Sequence, residues 1–450
     1  MATMPITLTN AILLDLDPIQ VSRGSIRIVA EEIEAVGPEV KPLPGDETQD
    51  CAGGVVMPGL VNGHTHLYSA LAAGMPPPSE QPRNFPDILR WVWWRLDRAL
   101  DAESIETSAR IGALDALRCG TTTLIDHHAS PGAIGGSLDR LQRGIAEVGL
   151  RAALCYETTD RHGRSGAEAG VAENRRYLDH CRERSDGRFA GLVGAHAAFT
   201  MSDDSLKACV RLAEEYDTGV HIHVAEDPCD DAICRSEFGA PLVRRLETCG
   251  LLSPTENAVA AASIFAHGTH LSPADAGRIS GQAAALAHNP RSNMNNCVGY
   301  APVGDMDRIM LGTDGIGGDM FAEAGFAWFK ARDAGGSLAG VITPGRIIDM
   351  LACAARVAGR ALGCTLGRLT PGAAADIVVT DYQPATPLTS ENAAAHFIFA
   401  LGAQHVRDVM VGGQWVSIDR SPVNVDATAA REDAAAIAQG LWSRMQTLAP

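Results

Sequence analysis

Lysine is almost missing from this chain. Among 450 residues only Lys41, Lys207 and Lys330 occur, and arginine supplies the remaining basic charge. Acidic residues outnumber basic ones 54 to 37, a formal net charge of -17. That sign excludes nucleic-acid backbones and anionic membrane surfaces as expected partners. No apolar run approaches the roughly 20 residues of a membrane span. The N-terminal stretch carries Asp15 and Asp17 and has no basic region ahead of its short apolar run, so no secretory leader is expected. The 11 cysteines are scattered and never spaced C-x-x-C. This argues against a zinc ribbon and a disulfide framework, and suits a cytoplasmic enzyme.

What is present is an ordinary globular balance, 46% hydrophobic and 20% charged. Three zones follow one another. Residues 1–57 read as short strands and turns. Residues 58–365 alternate apolar strands with helical patterns, the signature of a parallel sheet. Residues 366–450 return to strands and end in a helical tail, "DATAAREDAAAIAQGLWSRMQ". In the middle zone, candidate strands end near His66, His128, Glu157, His196, Val224, His267, His288 and Asp314. Eight such units predict an α/β fold, a (β/α)8 TIM barrel, with a small β-sandwich built from both chain ends. Nearly every predicted strand ends in a titratable residue, which suits a catalytic mouth at the C-terminal ends of the strands. After the first strand comes a long crossover with prolines and three tryptophans. It reads as a lid or pocket wall, or as a helix packed on the barrel through Trp91 and Trp94.

"PGLVNGHTHLYSA" closes an apolar run, Gly53 to Val61, with His64 and His66. Side chains two apart on a strand share a face, so the two rings lean into one space. They read as partners on one metal ion or as two hydrogen-bonded core histidines. "TGVHIHVAED" repeats the pattern: His221 and His223 share a face, Glu226 follows, and strand-end position favours His223. "IFAHGTHLSPAD" places His267 at a strand end, with His270 near a helix start capped by Ser272. "LGTDGIGG" puts Asp314 in a tight turn, as a turn-stabilising carboxylate, a metal ligand or a proton acceptor.

The order H-x-H, H-x-x-E, His, Asp resembles the amidohydrolase superfamily, and within it the ATZ/TRZ-like aminohydrolases acting on purines, pterins and triazines. "WWRLDRAL", "TTTLIDHHASPG", "LCYETTDRHG" and "NPRSNMNN" resemble above all the SsnA aminohydrolases. "GRLTPGAAADIVV" is similar to the family's return into its second domain, with Ala373 where lysine is often found. The resemblance implies His64, His66, His223 and Asp314 as ligands of a divalent ion, zinc or ferrous iron. Binuclear relatives commonly bridge two ions with a carbamylated lysine on a middle strand. No lysine lies between Lys41 and Lys207, and Lys207 falls on a helix after the fourth strand, so one ion is expected.

The implied reaction is hydrolytic deamination of a nitrogen heterocycle with release of ammonia. Asp314 would take a proton from the attacking water, Glu226 would protonate the ring nitrogen, and His267 would hydrogen-bond the attacking oxygen. General acid–base help of this kind contributes about 10²–10⁴ in rate. His196, His128, Tyr156, Glu157 and Arg291 are candidate substrate contacts, each equally readable as a supporting hydrogen bond. His162, His180, His396 and His405 read as surface or packing residues. Three alternatives remain: hydrolysis of a cyclic amide, displacement of chloride or an alkylamine from a triazine, and a non-catalytic homologue. The zinc fold of nucleoside deaminases, which needs P-C-x-x-C, is excluded. The expected partner is a small heterocycle, and the resemblance implies a homodimer or larger homo-oligomer.

Overall fold

The computed structural model describes residues 4–184, 186–252, 258–282, 284–335 and 342–449. Within it, strands and helices alternate through the middle of the chain. One parallel sheet carries Leu60–Thr65, Thr121–His128, Arg151–Tyr156 and Phe189–Gly191. A second carries Val193–Ala197, Val220–Val224, Ile264–His267, Ala285–His288 and Ile309–Leu311. Phe189–Gly191 and Val193–Ala197 are two halves of the fourth predicted strand, interrupted at Leu192. Isolated bridges join the two sheets at both edges, Thr65 to Asp314 and Thr158 to Ala195.

These strands are buried along nearly their whole length, as parallel strands covered by helices must be. Small residues let them approach. A Cβ on Gly194 would meet the Tyr156 carbonyl at 2.1 Å, and one on Gly312 would lie 2.7 Å from the His64 Cβ. Between the strands, Val61, Ile125, Ala153, Ala266, Ala287 and Met310 form a core of small side chains. Helix Pro344–Leu362 lays Ala354, Ala355 and Ala358 against it. Helix starts follow local chemistry. Asp101 and Ser104 form a reciprocal cap on Ala102–Arg118, and Ser202 caps Asp203–Tyr216, the helix that carries Lys207. Ser272 caps Pro273–Ser280 as its sequence predicts.

The apolar run Gly53–Val61 is two strands, not one. Val55–Pro58 pairs with Ile6–Leu16 and Ile377–Thr380, whereas Leu60–Thr65 joins the parallel sheet. Gly59 makes the break, because any Cβ there would run into Thr122 at 2.2 Å. Strands from both chain ends meet in one nine-stranded sheet. Its hairpin Val406–Val411 to Gln414–Ile418 turns through Gly412 and Gly413, both at positive φ (55° and 69°). The C-terminal helix Ala427–Thr447 leaves this sheet and reaches the crossover after the first parallel strand. There Trp442 Nε1 donates to Leu71 O at 2.8 Å, and Arg444 Nε donates to Ala99 O at 2.8 Å. No helix of the described residues is long and apolar enough to cross a membrane.

Candidate active site

The C-terminal ends of the parallel strands gather His64, His66, His223 and Asp314, whose ligand-type atoms all lie within 4.8 Å of one another. His64 and His66 come from the H-x-H end of Leu60–Thr65, and His223 from Val220–Val224. Asp314 follows Ile309–Leu311 at φ 53°, its backbone N–H given to His64 O at 2.9 Å. Thr65 Oγ1 donates to its carbonyl at 3.1 Å. These main-chain ties aim the Asp314 carboxylate at the two imidazoles: Oδ1 lies 3.0 Å from His66 Nε2 and 3.6 Å from His64 Nε2. Ser292 Oγ donates to the other oxygen, Oδ2.

Ring tautomers follow from partners that can only accept. His66 Nδ1 donates to His127 O at 2.5 Å, and His223 Nδ1 donates to His196 O at 2.8 Å. Each ring therefore commits Nδ1 outward and turns Nε2 inward, and the two Nε2 atoms stand 3.2 Å apart. Two imidazole nitrogens at that separation repel unless a proton or a metal cation lies between them. His64 Nε2 is buried without a hydrogen-bond partner, while its Nδ1 is paired with His221 Nε2 at 2.8 Å. The donor set of three imidazole nitrogens and one carboxylate oxygen suits a divalent metal. Burial pushes His64 down to about 3 and His223 well below the usual histidine range, so both are neutral, as ligands must be. Burial opposes charge on His66 too, but the facing Asp314, with Glu157 and Asp126, outweighs it and pushes it up to about 9. The carboxylates that attract a proton there also attract a cation.

A second grouping, His66, His127, Glu157 and His223, shares two residues with the first. His66 and His223 each have a single free ring nitrogen, so both groupings cannot be filled together.

Glu226 stands beside this cluster. Its carboxylate lies 3.5 Å from His267 Nε2, and Asn296 Nδ2 donates to Oε1 at 3.5 Å. Burial, with Asp314 and Asp230 nearby, raises its pKa well above the usual carboxylate value. That shift favours the protonated carboxyl. His267 donates Nδ1–H to Asn293 Oδ1 at 2.9 Å, which leaves Nε2 as an acceptor. Ala225, His267 and Asp314 all adopt positive φ (51°, 75° and 53°), conformations that non-glycine residues hold only when their surroundings impose them.

Above these groups opens a cavity walled on one side by Phe85, Leu89, Trp93, Trp94 and Phe199. A π-helical turn, Leu89–Trp93, brings both Trp93 and Trp94 to it, while Trp91 faces the C-terminal helix instead. Glu157 and His196 reach the cavity as their sequence predicts. His128, Tyr156 and Arg291 do not. His128 is turned to Ser130 Oγ at 2.9 Å, and Tyr156 packs near it with ring centroids 6.2 Å apart. They are paired neighbours on adjacent strands and face the covering helices. Arg291 gives its Nε to Glu323 and its Nη2 to Ile316 O at 2.9 Å. Sequence reasoning passed over His127, Ser292, Asn296, Asp97 and Arg161, and weighed His221 only as the alternative to His223.

A model of the amidohydrolase family matches residues 55–416. The chain belongs to the amidohydrolase family. This amidohydrolase is 30% identical over 421 residues to a 5-methylthioadenosine/S-adenosylhomocysteine deaminase of Desulforudis audaxviator, covering 90% of this chain and 91% of that one. In fold it is similar to a zinc-bound adenosine deaminase from Xanthomonas campestris (TM-score 0.83, 23% identity, 99% of each chain). It is also similar to a zinc-complexed atrazine chlorohydrolase from Arthrobacter aurescens TC1 (TM-score 0.79, 20% identity, 96% of this chain and 100% of that one). The amidohydrolase thus has a TIM-barrel-like fold, with a cluster able to bind metal at its centre.

Proposed function

We propose that this amidohydrolase holds one divalent cation, zinc by preference, on His64, His66, His223 and Asp314, and hydrolytically deaminates a nitrogen heterocycle. The observation that carries the reading is the convergence of three imidazole nitrogens and Asp314 Oδ1 beside Glu226, whose burial favours its protonated form. Bound there, the cation would supply a Lewis acid that lowers the pKa of water toward about 7. Asp314 orients the attacking water and accepts its proton, while Ser292 keeps Oδ2 in place. His267 Nε2 accepts a hydrogen bond from the attacking oxygen. Glu226 delivers its proton to the ring nitrogen and then relays the proton held by Asp314 to the departing amine, so ammonia leaves neutral. The remaining hydroxyl proton returns to Glu226 as the carbonyl forms. The aromatic wall stacks the ring and keeps bulk water out. The naming of the Desulforudis relative as a deaminase supports this chemistry.

The test is metal analysis of purified protein followed by an ammonia-release screen over purines, pterins, cytosine and triazines. Release of ammonia supports the reading. Release of chloride or an alkylamine, or ring opening without ammonia, overturns it.

The architecture extends the same reading. The bridges at both sheet edges support a closed eight-stranded barrel over residues 58–365. A separate core of Leu8, Leu13, Ile26, Ile28, Ala375 and Ile377 supports the nine-stranded sheet folding over itself as a β-sandwich from residues 1–57 and 366–450. The 11 free cysteines support a cytoplasmic enzyme. A homodimer rests on family resemblance and is tested by the mass in solution.

A further inference from the structure

Among the proposed ligands, His64 is held in its own way. Main-chain carbonyls, which can only accept, hold Nδ1 of His66 and of His223. Nδ1 of His64 instead meets another imidazole, Nε2 of His221 at 2.8 Å. A neutral imidazole nitrogen donates or accepts according to its tautomer, so this contact alone leaves two states. In one, His64 Nδ1–H donates to His221 and His64 Nε2 is a bare lone pair. In the other, His221 Nε2–H donates, and His64 Nε2 carries a proton where a cation would have to bind.

The next contacts in the chain decide between them. His221 Nδ1 lies 3.8 Å from Cys155 Sγ, and the same sulfur lies 3.5 Å from Asp126 O. A carbonyl oxygen has no proton to give, so the single thiol proton goes to Asp126 O. The sulfur is left as the acceptor for His221 Nδ1–H. The chain then runs in one sense: His64 Nδ1–H to His221 Nε2, His221 Nδ1–H to Cys155 Sγ, and Cys155 Sγ–H to Asp126 O. The one group left over is the lone pair of His64 Nε2, which a cation takes. The reverse sense withdraws the thiol proton from Asp126 O. It also leaves a His64 Nε2–H facing Asp314 Oδ1 at 3.6 Å, too far for a hydrogen bond. The four residues sit on four different parallel strands and are fully buried, so bulk water does not replace a missing partner.

Resting on the single-cation reading, we propose that His221 and Cys155 are positioning residues that hold His64 in the tautomer able to bind metal. They set the site before the cation arrives. Neither lines the cavity, so neither touches substrate. Losing an outer partner of this kind typically costs 10–100-fold in metal affinity.

The test is zinc affinity, measured by competition with a chromophoric chelator, for the unaltered protein, His221→Phe and His221→Gln. Phenylalanine keeps the bulk of the ring and removes the acceptor, whereas a glutamine Oε1 accepts from His64 Nδ1–H. His221→Phe is expected to bind zinc about 10–100-fold more weakly, and His221→Gln to recover most of that loss. Cys155→Ala, which leaves His221 Nδ1–H without an acceptor, is expected to show a smaller loss. A second measurement needs no variant. With ring-15N histidine in the zinc-loaded protein, NMR is expected to place the proton on His64 Nδ1, with a scalar coupling across the hydrogen bond to His221 Nε2. A proton on His221 Nε2 overturns the proposal. So does a folded His221→Phe protein that binds zinc as tightly as the unaltered one, or a His221→Gln protein no better than His221→Phe. Unchanged affinity in Cys155→Ala overturns the part given to Cys155. Tight zinc binding by the unaltered protein with no loss in His221→Phe keeps the cation reading and removes this one, while an unaltered protein that binds no zinc removes both.

Discussion

Three carboxyl or hydroxyl groups carry separable duties at the site, and single substitutions distinguish them. Glu226→Gln leaves every proposed ligand in place but removes the transferable proton, so metal content stays and kcat falls by about 10²–10⁴. Asp314→Asn removes a ligand and the proton acceptor together, so both metal retention and rate fall. Ser292 touches only the Asp314 oxygen that faces away from the imidazoles, with Asn296 Nδ2 donating back to its hydroxyl at 3.4 Å. Ser292→Ala therefore lowers kcat by about tenfold or more with KM little changed, and Ser292→Thr restores it. An unchanged kcat in Ser292→Ala removes that positioning role. His288 gives a test away from the metal ligands. It is fully buried with neither ring nitrogen paired, and burial lowers it to about 3. The unfolded chain binds a proton there below its ordinary 6.5, whereas the folded chain does not. Stability from this group is thus present above that value and lost as pH falls from 6.5 toward 3. His288→Leu should flatten the loss of Tm across that window, and an unchanged acid slope contradicts the assignment.

At the level of elements, the close approach of the first and eighth parallel strands is what delivers His64 to Asp314. Gly312→Ala would place a Cβ 2.6 Å from Asn289 Oδ1 and 2.7 Å from the His64 Cβ. It should therefore weaken zinc binding as well as Tm, and normal zinc affinity in a folded Gly312→Ala protein would show that this contact does not set the site. Much of this was readable in the residues. The strands carrying His64, His66, His223, His267 and Asp314 were placed by their apolar runs, and the H-x-H spacing put two rings on one face. Strand-end position alone does not fix which face a residue takes. At Thr121–His128 the terminal His128 faces the helices, and His127 turns toward the histidine cluster, its ring centroid 4.8 Å from that of His223. At Arg151–Tyr156 the same alternation turns Tyr156 outward and Glu157 inward. Ser292, Asn296, Asp97 and Arg161 come from loops and short helices whose placement depends on packing between distant segments. No local period reports that packing.

Across the whole molecule, the C-terminal end of the chain returns to support the site. The C-terminal helix holds the crossover that carries Trp93 and Trp94 through Trp442, Arg444 and the Arg95 bond to Met445 O at 2.7 Å. A cation that binds only the folded chain also stabilises it, by about 4 kcal/mol at a thousandfold excess over Kd, so chelation should lower Tm and added zinc should restore it. The most direct measurement is a zinc titration of chelator-stripped enzyme with ammonia release followed at every addition. One ion is predicted to bind per chain, with activity rising in step and reaching its plateau at one equivalent, and with neither response in His66→Ala. Full turnover by the stripped enzyme, or activity that does not track a single bound ion, would contradict the account.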